Sequence, residues 1–571
     1  MFVLARWLGP REARLALLVV VIGAGAVLRI LTLAALPDFF GPGDPATYWS
    51  MAAGVLREGV PRVDFVWNYS GAPAAISHVE SYYEPAYAYV LALPMALFGA
   101  RPAVGRALSV AFGVLAILLT WTFARRHGPR VALLATTLVA LEPWSIYYSG
   151  VLMKETLVSV VVILALQSLR RVVESGGSSA RAGVIAALVV LAASTFQYEL
   201  LPILALATAI TLARLRRGAL LSFVTTAALV SGAAAVATWA WMSVPLSGKF
   251  GFFMGQKMWT PAWASSGGQR ALHLWRFLPT GYVLGALILK WYLPVAALAW
   301  VGTRARGLTR AEVMLPASFA LCFIYFHGVP HDLWERDFIA LLPVAAPFAA
   351  LAACRGDAWT PGRATAVLGL VAGGALGTYS ALTNHVAGFF PVRWMPWSVI
   401  ASTLLFALPM AYLVRRWMPA VVAEQRLRRW LPAAALGLVL ASFSQSLPWP
   451  LIFSNPQFRD YEARRAAREQ ACGLLRPLPA GAVMSSEPAE THLDSGRPAV
   501  LLPIPRDAGV IAEVRKRYRL RYLLAAPGEL DEGTATRAGL QKLGRRAGFV
   551  LYEFVPGAPA LPVAGGPGPP G

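Results

Sequence analysis

The chain has 571 residues, of which 57% are hydrophobic and only 14% are charged, and its mean hydropathy is +0.56. Soluble proteins carry about 25% charged residues, so this composition excludes an ordinary soluble enzyme and a disordered chain, and indicates a polytopic membrane protein. The net charge of +22 would suggest nucleic-acid binding in a soluble protein, but in a membrane protein it first suggests basic cytoplasmic loops.

A membrane-spanning helix needs about 20 mostly apolar residues. The sequence predicts thirteen such helices, near residues 15–36, 104–123, 131–147, 151–169, 182–197, 200–213, 219–240, 281–301, 312–327, 338–353, 364–384, 397–414 and 431–447. Arginine clusters follow every second helix, which predicts a multi-pass topology with a cytoplasmic N-terminus. Most of the positive charge therefore belongs to the inner loops, and no nucleic-acid partner is expected.

Two segments need a separate interpretation. Residues 85–99 are apolar but too short to cross a bilayer core of about 30 Å, so they predict an interfacial or re-entrant helix. Residues 182–213 have arginines at both ends. Since both flanks should lie inside, this segment should cross twice and turn near Gln197-Tyr198-Glu199.

The chain divides by composition into three parts. Residues 1–447 form the predicted transmembrane domain, whose first outer loop, 37–103, holds juxtamembrane helices near 45–58 and 85–99. Residues 448–556 alternate strand-like and charged helical runs, which predicts a small extracytoplasmic α/β domain. Residues 557–571 are rich in Pro and Gly and are expected to be disordered.

Acidic residues stand near the predicted outer boundary of the membrane. Asp44 precedes Pro45 and Glu84 precedes Pro85, each at the start of a predicted helix. Both are suited to helix capping, and Asp44 is equally suited to accept a proton from a substrate hydroxyl. Lys154 and Glu155 lie where the chain re-enters lipid. They are candidates for a functional role, and the alternative is that they form an ion pair with each other.

The order of these residues resembles the membrane glycosyltransferases of the GT-C fold. It is most similar to the glycosyltransferase 39 family, which holds protein O-mannosyltransferases and the lipid A aminoarabinose transferase. The resemblance covers about residues 40–170 and rests on an ordered set of positions: Asp44 with Tyr48, Glu84-Pro85 before an apolar helix ending at Phe98-Gly99, Arg106, Arg125-Arg126, the run VALLAT, Pro143 and Glu155. The later runs WERDFIALLPVAAP and LDSGRPAVLLPIP resemble the same family.

The resemblance implies a mainly α, GT-C-like bundle that transfers one sugar from a polyprenyl-phosphate donor on the outer side of the membrane, usually with inversion. Asp44 matches the general base and Glu155 a second acidic position. Glu84 matches an acidic residue that helps to bind a metal, and Tyr48 and Tyr83 lie beside these positions. The acceptor hydroxyl, on a lipid, a protein or a cell-surface polysaccharide, stays open.

Cations and histidines extend the candidate site. Arg336 is a candidate for the donor phosphate because guanidinium binds phosphate oxygens bidentately, although a bridge to neighbouring acids is as plausible, and Lys154 is a second candidate. Glu84, His273 and His331 form a possible divalent metal site. The outer loops are rich in aromatic residues, which suit an interfacial belt or stacking against sugars. The three cysteines are too far apart for a disulfide framework or a zinc motif.

A transporter or flippase for a polyprenyl-linked glycan or a solute is the main alternative, and a receptor is the next. Many transporters place polar or broken helices at mid-membrane in repeated halves, whereas the acids of this chain fall in one unrepeated block near the outer boundary. This pattern favours the enzyme. The composition, rich in Ala, Arg and Gly, indicates a GC-rich bacterium and hence an inner or plasma membrane.

Overall fold

The structure is a computed structural model. It describes residues 10–36, 38, 44–69, 73–80, 82–175, 178–198, 200–242, 293–328, 335–360, 362–371, 456–504 and 506–555, with single positions between 405 and 416. The predicted spans at 397–414 and 431–447 lie almost wholly outside these residues, and so does the predicted tail 557–571.

Most of the described chain is helical, as the apolar runs predict. The helices are, in chain order, α1 Pro10–Ala35, α2 Asp44–Glu58, α3 Pro85–Phe98, α4 Pro102–Ala124, α5 Pro129–Leu141, α6 Pro143–Ser149, α7 Glu155–Glu174, α8 Ser179–Ser194, α9 Leu200–Leu215, α10 Arg217–Met242, α11 Leu293–Gly302, α12 Arg310–Gly328, α13 Glu335–Cys354, α14 Gly362–Val371, α15 Pro456–Cys472, α16 Pro488–Ser495, α17 Ala508–Tyr518 and α18 Glu532–Arg537. The strands are β1 Arg62–Val63, β2 Phe65–Val66, β3 His78–Val79, β4 Val483–Ser485, β5 Ala499–Leu501, β6 Tyr522–Ala525, β7 Leu540–Arg546 and β8 Phe549–Phe554.

The chain folds into two compact units. The first comprises residues 1–36, 106–232 and 274–453, and the second comprises 37–105, 233–273 and 454–571. The loop 37–103, which the sequence places in the transmembrane domain, shares the second unit with the C-terminal segment. Strand β2 of the loop adds to the C-terminal sheet within that unit.

The first unit holds the long apolar helices. By length and composition, three helices in the described part of the chain could cross a membrane, at Arg11–Ala35, Pro102–His127 and Glu155–Glu174. The predicted third span, 131–147, is instead a pair, α5 and α6, that bends by 57° and becomes a fourth candidate only if it counts as one span. The bend falls at Glu142-Pro143, since proline cannot continue the hydrogen bonding of α5.

Two large apolar clusters lie in the core of the first unit, and a smaller one joins α4 to α7. One large cluster is built from α7, α8, α9, α10, α12 and α13, and the other from α4, α5, α11, α13 and α14. Helix α13 contributes to both. Helices α8 and α9 are separate, and the break between them contains the predicted turn at Gln197-Tyr198.

The second unit is built around a six-stranded sheet in the order β2-β5-β4-β6-β8-β7. Its first four strands run parallel, and β8 and β7 are antiparallel to their neighbours. Side chains alternate between the two faces, so Val483 and Met484 enter different apolar clusters. Strands occur at all three C-terminal segments where the sequence predicted them, near 482–486, 521–526 and 549–555.

Candidate functional site

Asp44 opens α2 in the second unit. It is the first residue of that helix and Pro45 follows it, an arrangement that places a carboxylate at the positive end of the helix. The hydroxyl of Tyr83 donates a hydrogen bond to Asp44 Oδ1. Burial and the neighbouring Asp44 carboxylate raise the pKa of Tyr83 well above its ordinary value, so the phenol keeps its proton and remains a donor.

Aromatic rings surround this bond. The ring of Tyr48, one turn along α2 from Asp44, packs edge-on against Tyr83 at 4.9 Å and Tyr87 at 5.0 Å between centroids. The ring of Trp67 lies 5.0 Å from that of Tyr83 and 4.7 Å from that of Tyr82. Such contacts stabilise an aromatic cluster by about 0.5–1.5 kcal/mol per pair beyond area burial. The cluster therefore fixes the position of the Tyr83 ring.

Glu80 joins the cluster to the backbone. Its carboxylate, 4% exposed, accepts hydrogen bonds from Trp67 Nε1 at 3.1 Å and from the backbone N–H of Tyr82 at 2.7 Å. The sequence analysis gave Glu80 no catalytic or binding role. The position of Glu80 between Trp67 and the predicted site residues could have suggested a role. The hydrogen bond between Trp67 and Glu80 spans 13 residues of loop, however, and no local sequence pattern predicts it.

Glu84 is fully buried at the N-cap of α3, where Pro85 is the first helical residue. Its side chain makes no capping hydrogen bond to the first turn of that helix. The helix start that the Glu-Pro pair predicts is therefore present, but the carboxylate does not serve as an N-cap acceptor.

Lys154 and Glu155 lie in the first unit at the start of α7. Lys154 is the N-cap residue and is 7% exposed, and Glu155 is the first helical residue and is half-buried. The next turn is tied to α13, because Ser159 Oγ donates to the carbonyl of Ile339 at 3.0 Å. The start of α7 thus places a cation and a carboxylate side by side at a fixed helix end.

The remaining predicted site residues lie partly or wholly outside the described part of the structure. Arg336 falls in the first turn of α13, but its side chain is outside that part, and His273 and His331 are outside it altogether. Among the described residues, no group of three His, Cys, Asp or Glu side chains could hold a metal ion. A site formed by Glu84, His273 and His331 therefore stays a prediction.

Buried arginines in the first unit have structural contacts that the sequence did not predict. Arg29, fully buried in α1, donates to the carbonyls of Gly25, Val139 and Ala140 and to Ser145 Oγ. Arg106 is also buried, and its Nε donates to the carbonyl of Gly150 at 2.8 Å. An arginine within an apolar span is the signal that could have found Arg29.

Glu142 repeats the acid-proline pattern of Asp44 and Glu84. Its side chain accepts hydrogen bonds from the backbone N–H groups of Trp144 and Ser145, and it therefore caps α6. Unlike Glu84, Glu142 has the capping role that the pattern favours. The same pattern thus serves different purposes at different sites.

The fold is that of the GT-C membrane glycosyltransferases, as the sequence resemblance indicated. The chain is similar to the crystal structure of ArnT, the lipid A aminoarabinose transferase, from Cupriavidus metallidurans bound to undecaprenyl phosphate, with 15% identity, a TM-score of 0.54, and coverage of 94% of this chain and 98% of that one. The apo form of the same protein matches with 14% identity, a TM-score of 0.55, and coverage of 94% and 97%.

An oligosaccharyltransferase, AglB from Archaeoglobus fulgidus, in complex with an inhibitory peptide and a dolichol-phosphate, matches with 14% identity, a TM-score of 0.44, and coverage of 90% of this chain and 69% of that one. No protein-family model matches the sequence, and no curated protein matches it significantly.

Proposed function

We propose that this protein is a membrane glycosyltransferase that moves a single sugar from a polyprenyl-phosphate donor to an acceptor hydroxyl on the outer side of a bacterial inner membrane. The observation that carries the proposal is the Asp44 carboxylate, held by a protonated tyrosine inside an aromatic cluster. The fold supports it, since the similar ArnT was crystallised with undecaprenyl phosphate.

In the proposed reaction, Asp44 accepts the proton of the acceptor hydroxyl while the oxygen of that hydroxyl attacks the anomeric carbon of the donor sugar. The bond from that carbon to the phosphate oxygen breaks, and polyprenyl phosphate leaves with the electron pair. A single displacement from the opposite face inverts the anomeric configuration. Tyr83 orients the carboxylate and keeps its own proton, so it acts as a positioning residue.

Charge on the departing phosphate needs a cation. We propose Lys154, a buried cation at the start of α7, as one candidate for this phosphate. We propose that Arg336 shares this role and that Glu155 helps to orient the acceptor or the sugar. A divalent metal ion at Glu84, His273 and His331 stays a prediction, and no step of the proposed reaction is routed through it.

A direct test incubates the purified protein in detergent or nanodiscs with a panel of polyprenyl-phosphate sugars and measures the release of polyprenyl phosphate. Release with at least one donor, together with appearance of the sugar on an acceptor, is the expected result. A transporter or flippase would move the lipid-linked sugar across a vesicle membrane and leave it intact, so intact donor in every reaction would contradict the proposal.

A further inference from the structure

A short segment of the first outer loop is held by the C-terminal sheet. Strand β2 pairs in parallel with β5, with Phe65 opposite Ala499 and Val66 opposite Val500. Three residues further along the loop, the hydroxyl of Tyr69 donates to the carbonyl of Leu501. Phe65, Val66 and Tyr69 are all buried, so this segment is part of the sheet's own core.

Other contacts attach the loop to the C-terminal segment on both sides of Asp44. The carbonyl of Pro73 accepts hydrogen bonds from Tyr518 Oη at 2.9 Å and from Arg517 Nη2 at 3.3 Å. Before Asp44 in the chain, the carbonyl of Asp38 accepts from Arg465 Nη1 at 3.0 Å. A loop with both flanks attached has little freedom to shift the residues between them.

Trp67 connects the attached segment to the site. It lies between β2 and Tyr69 in the chain, so both of its sides are fixed to the sheet. Its indole Nε1 donates to Glu80, and its ring packs against Tyr83, whose hydroxyl donates to Asp44. An unbroken series of contacts therefore runs from the backbone of β5 to the Asp44 carboxylate.

We infer that the C-terminal sheet positions the catalytic carboxylate, and that Tyr69 is a positioning residue that acts on Asp44 through Trp67 and Tyr83. The inference rests on the proposed function of Asp44, and it gives the C-terminal domain an indirect part in catalysis through the contacts that hold the loop. Misplacement of a reacting group by about 1 Å can cost 100-fold in rate, so a modest loosening of this segment is sufficient to be measured.

Tyr69→Phe is the variant that tests the inference. It keeps the buried ring and removes the hydroxyl that donates to the carbonyl of Leu501. Tyr522→Phe is the matched control, because Tyr522 is a buried residue of β6 in the same sheet, and its hydroxyl donates to the carbonyl of Pro479, away from the loop. Both variants remove one buried tyrosine-to-carbonyl hydrogen bond from one domain.

The expected results separate positioning from stability. Tyr69→Phe should lower kcat about tenfold with the KM for the donor unchanged, and should speed amide hydrogen exchange in residues 62–69. Tyr522→Phe should lower the melting temperature by about as much as Tyr69→Phe does, but it should leave kcat within about twofold of the wild-type value. Equal kcat losses in the two variants would overturn the inference, because a general loss of domain stability would then account for both.

A double-mutant cycle tests the route. If Tyr69 acts through Tyr83, then Tyr69→Phe should have little further effect on kcat in a Tyr83→Phe background. Full additivity would overturn the inference, while the proposed function would stand. If the wild-type protein consumes no donor, the proposed function fails, and the inference, which gives the loop a catalytic role, fails with it. Faster hydrogen exchange in Tyr69→Phe would then show only that Tyr69 attaches the loop to the sheet.

Discussion

A protonated phenol beside a carboxylate determines the chemistry available at Asp44. The phenol of Tyr83 is buried and lies next to a negative charge, and both effects raise its pKa, so it stays protonated at neutral pH. Its hydrogen bond to Asp44 is therefore a fixed contact that holds the carboxylate in one orientation. In the proposed reaction Asp44, and not Tyr83, therefore accepts the proton.

Removing this contact should slow the reaction by a factor that does not depend on pH. Tyr83→Phe should lower kcat about 10- to 100-fold, since a hydrogen bond to a charged group contributes about 1.5–3 kcal/mol. The phenol stays protonated at every pH below the raised pKa that Tyr83 has in the folded protein, and the contact would be lost only above that pKa. Hence kcat profiles between pH 6 and 9 should show a constant ratio of wild type to variant, and a ratio that changes across this range would show that Tyr83 itself titrates during turnover.

The sequence singles out candidate residues but not their contacts. Asp44 and Glu84 stand out because ionisable residues near a membrane boundary are candidates for function, and Tyr48 and Tyr83 because they lie beside the acidic positions of the family resemblance. The bond from Tyr83 to Asp44 joins positions 39 residues apart, through a loop without a regular period. No local pattern encodes such a distance, so only the folded loop shows that Tyr83 and Asp44 meet.

At the scale of helices, close packing depends on small residues at crossing points. Gly302 ends α11 where that helix meets α13, and a Cβ at this position would lie 1.8 Å from the carbonyl oxygen of Phe348. Backbone cannot move aside as a flexible side chain can. Glycine at 302 is therefore required by the approach of the two helices.

Gly302→Ala should destabilise the protein by about 1–3 kcal/mol, because the helices must separate to admit the methyl group. Thermal unfolding in detergent, followed by fluorescence or light scattering, measures this as a lower melting temperature. Gly23→Ala is the control, since Gly23 lies within α1 and a Cβ there would meet no atom within 4 Å. A melting temperature for Gly302→Ala equal to that of Gly23→Ala would contradict the packing described for α11 and α13.

Within the described residues, helices occur where the sequence has long apolar runs, but the bends in the chain are harder to predict. The run 131–147 has the composition of one span, but Pro143 divides it, and Glu142 caps the second piece. The two-residue strand β2 had no pattern of its own, because it becomes a strand only by pairing with β5, more than 400 residues later in the chain. Such an element depends on tertiary contacts, not on local propensity.

At the scale of the whole chain, the loops predicted to lie inside differ in positive charge from those predicted to lie outside. The loops predicted to lie inside are rich in arginine, and the first outer loop together with the C-terminal segment forms the unit that contains Asp44. Since basic loops are retained in the cytoplasm, the inner loops should keep Asp44 and the C-terminal sheet outside. This arrangement is what transfer from a donor on the outer leaflet requires.

Reporter fusions test the topology. Alkaline phosphatase, which folds only outside the cytoplasm of a bacterial cell, should be active when fused after Val555 and inactive when inserted after Ser175, between α7 and α8. A fluorescent protein that matures only in the cytoplasm should give the opposite pattern. Activity of the phosphatase at Ser175 would reverse the orientation and place Asp44 on the wrong side for the proposed reaction.

The central claim is that Asp44 is the base of a sugar transfer, and one measurement tests it most directly. Release of polyprenyl phosphate from a lipid-linked sugar is compared between the wild-type protein, Asp44→Asn and the control Asp64→Asn, whose carboxylate pairs with Arg57 on the surface of the same loop. Loss of a general base typically costs 100- to 10,000-fold, so Asp44→Asn should be inactive within detection, with expression and melting temperature unchanged, while Asp64→Asn keeps nearly full activity. Full activity in Asp44→Asn would contradict the account.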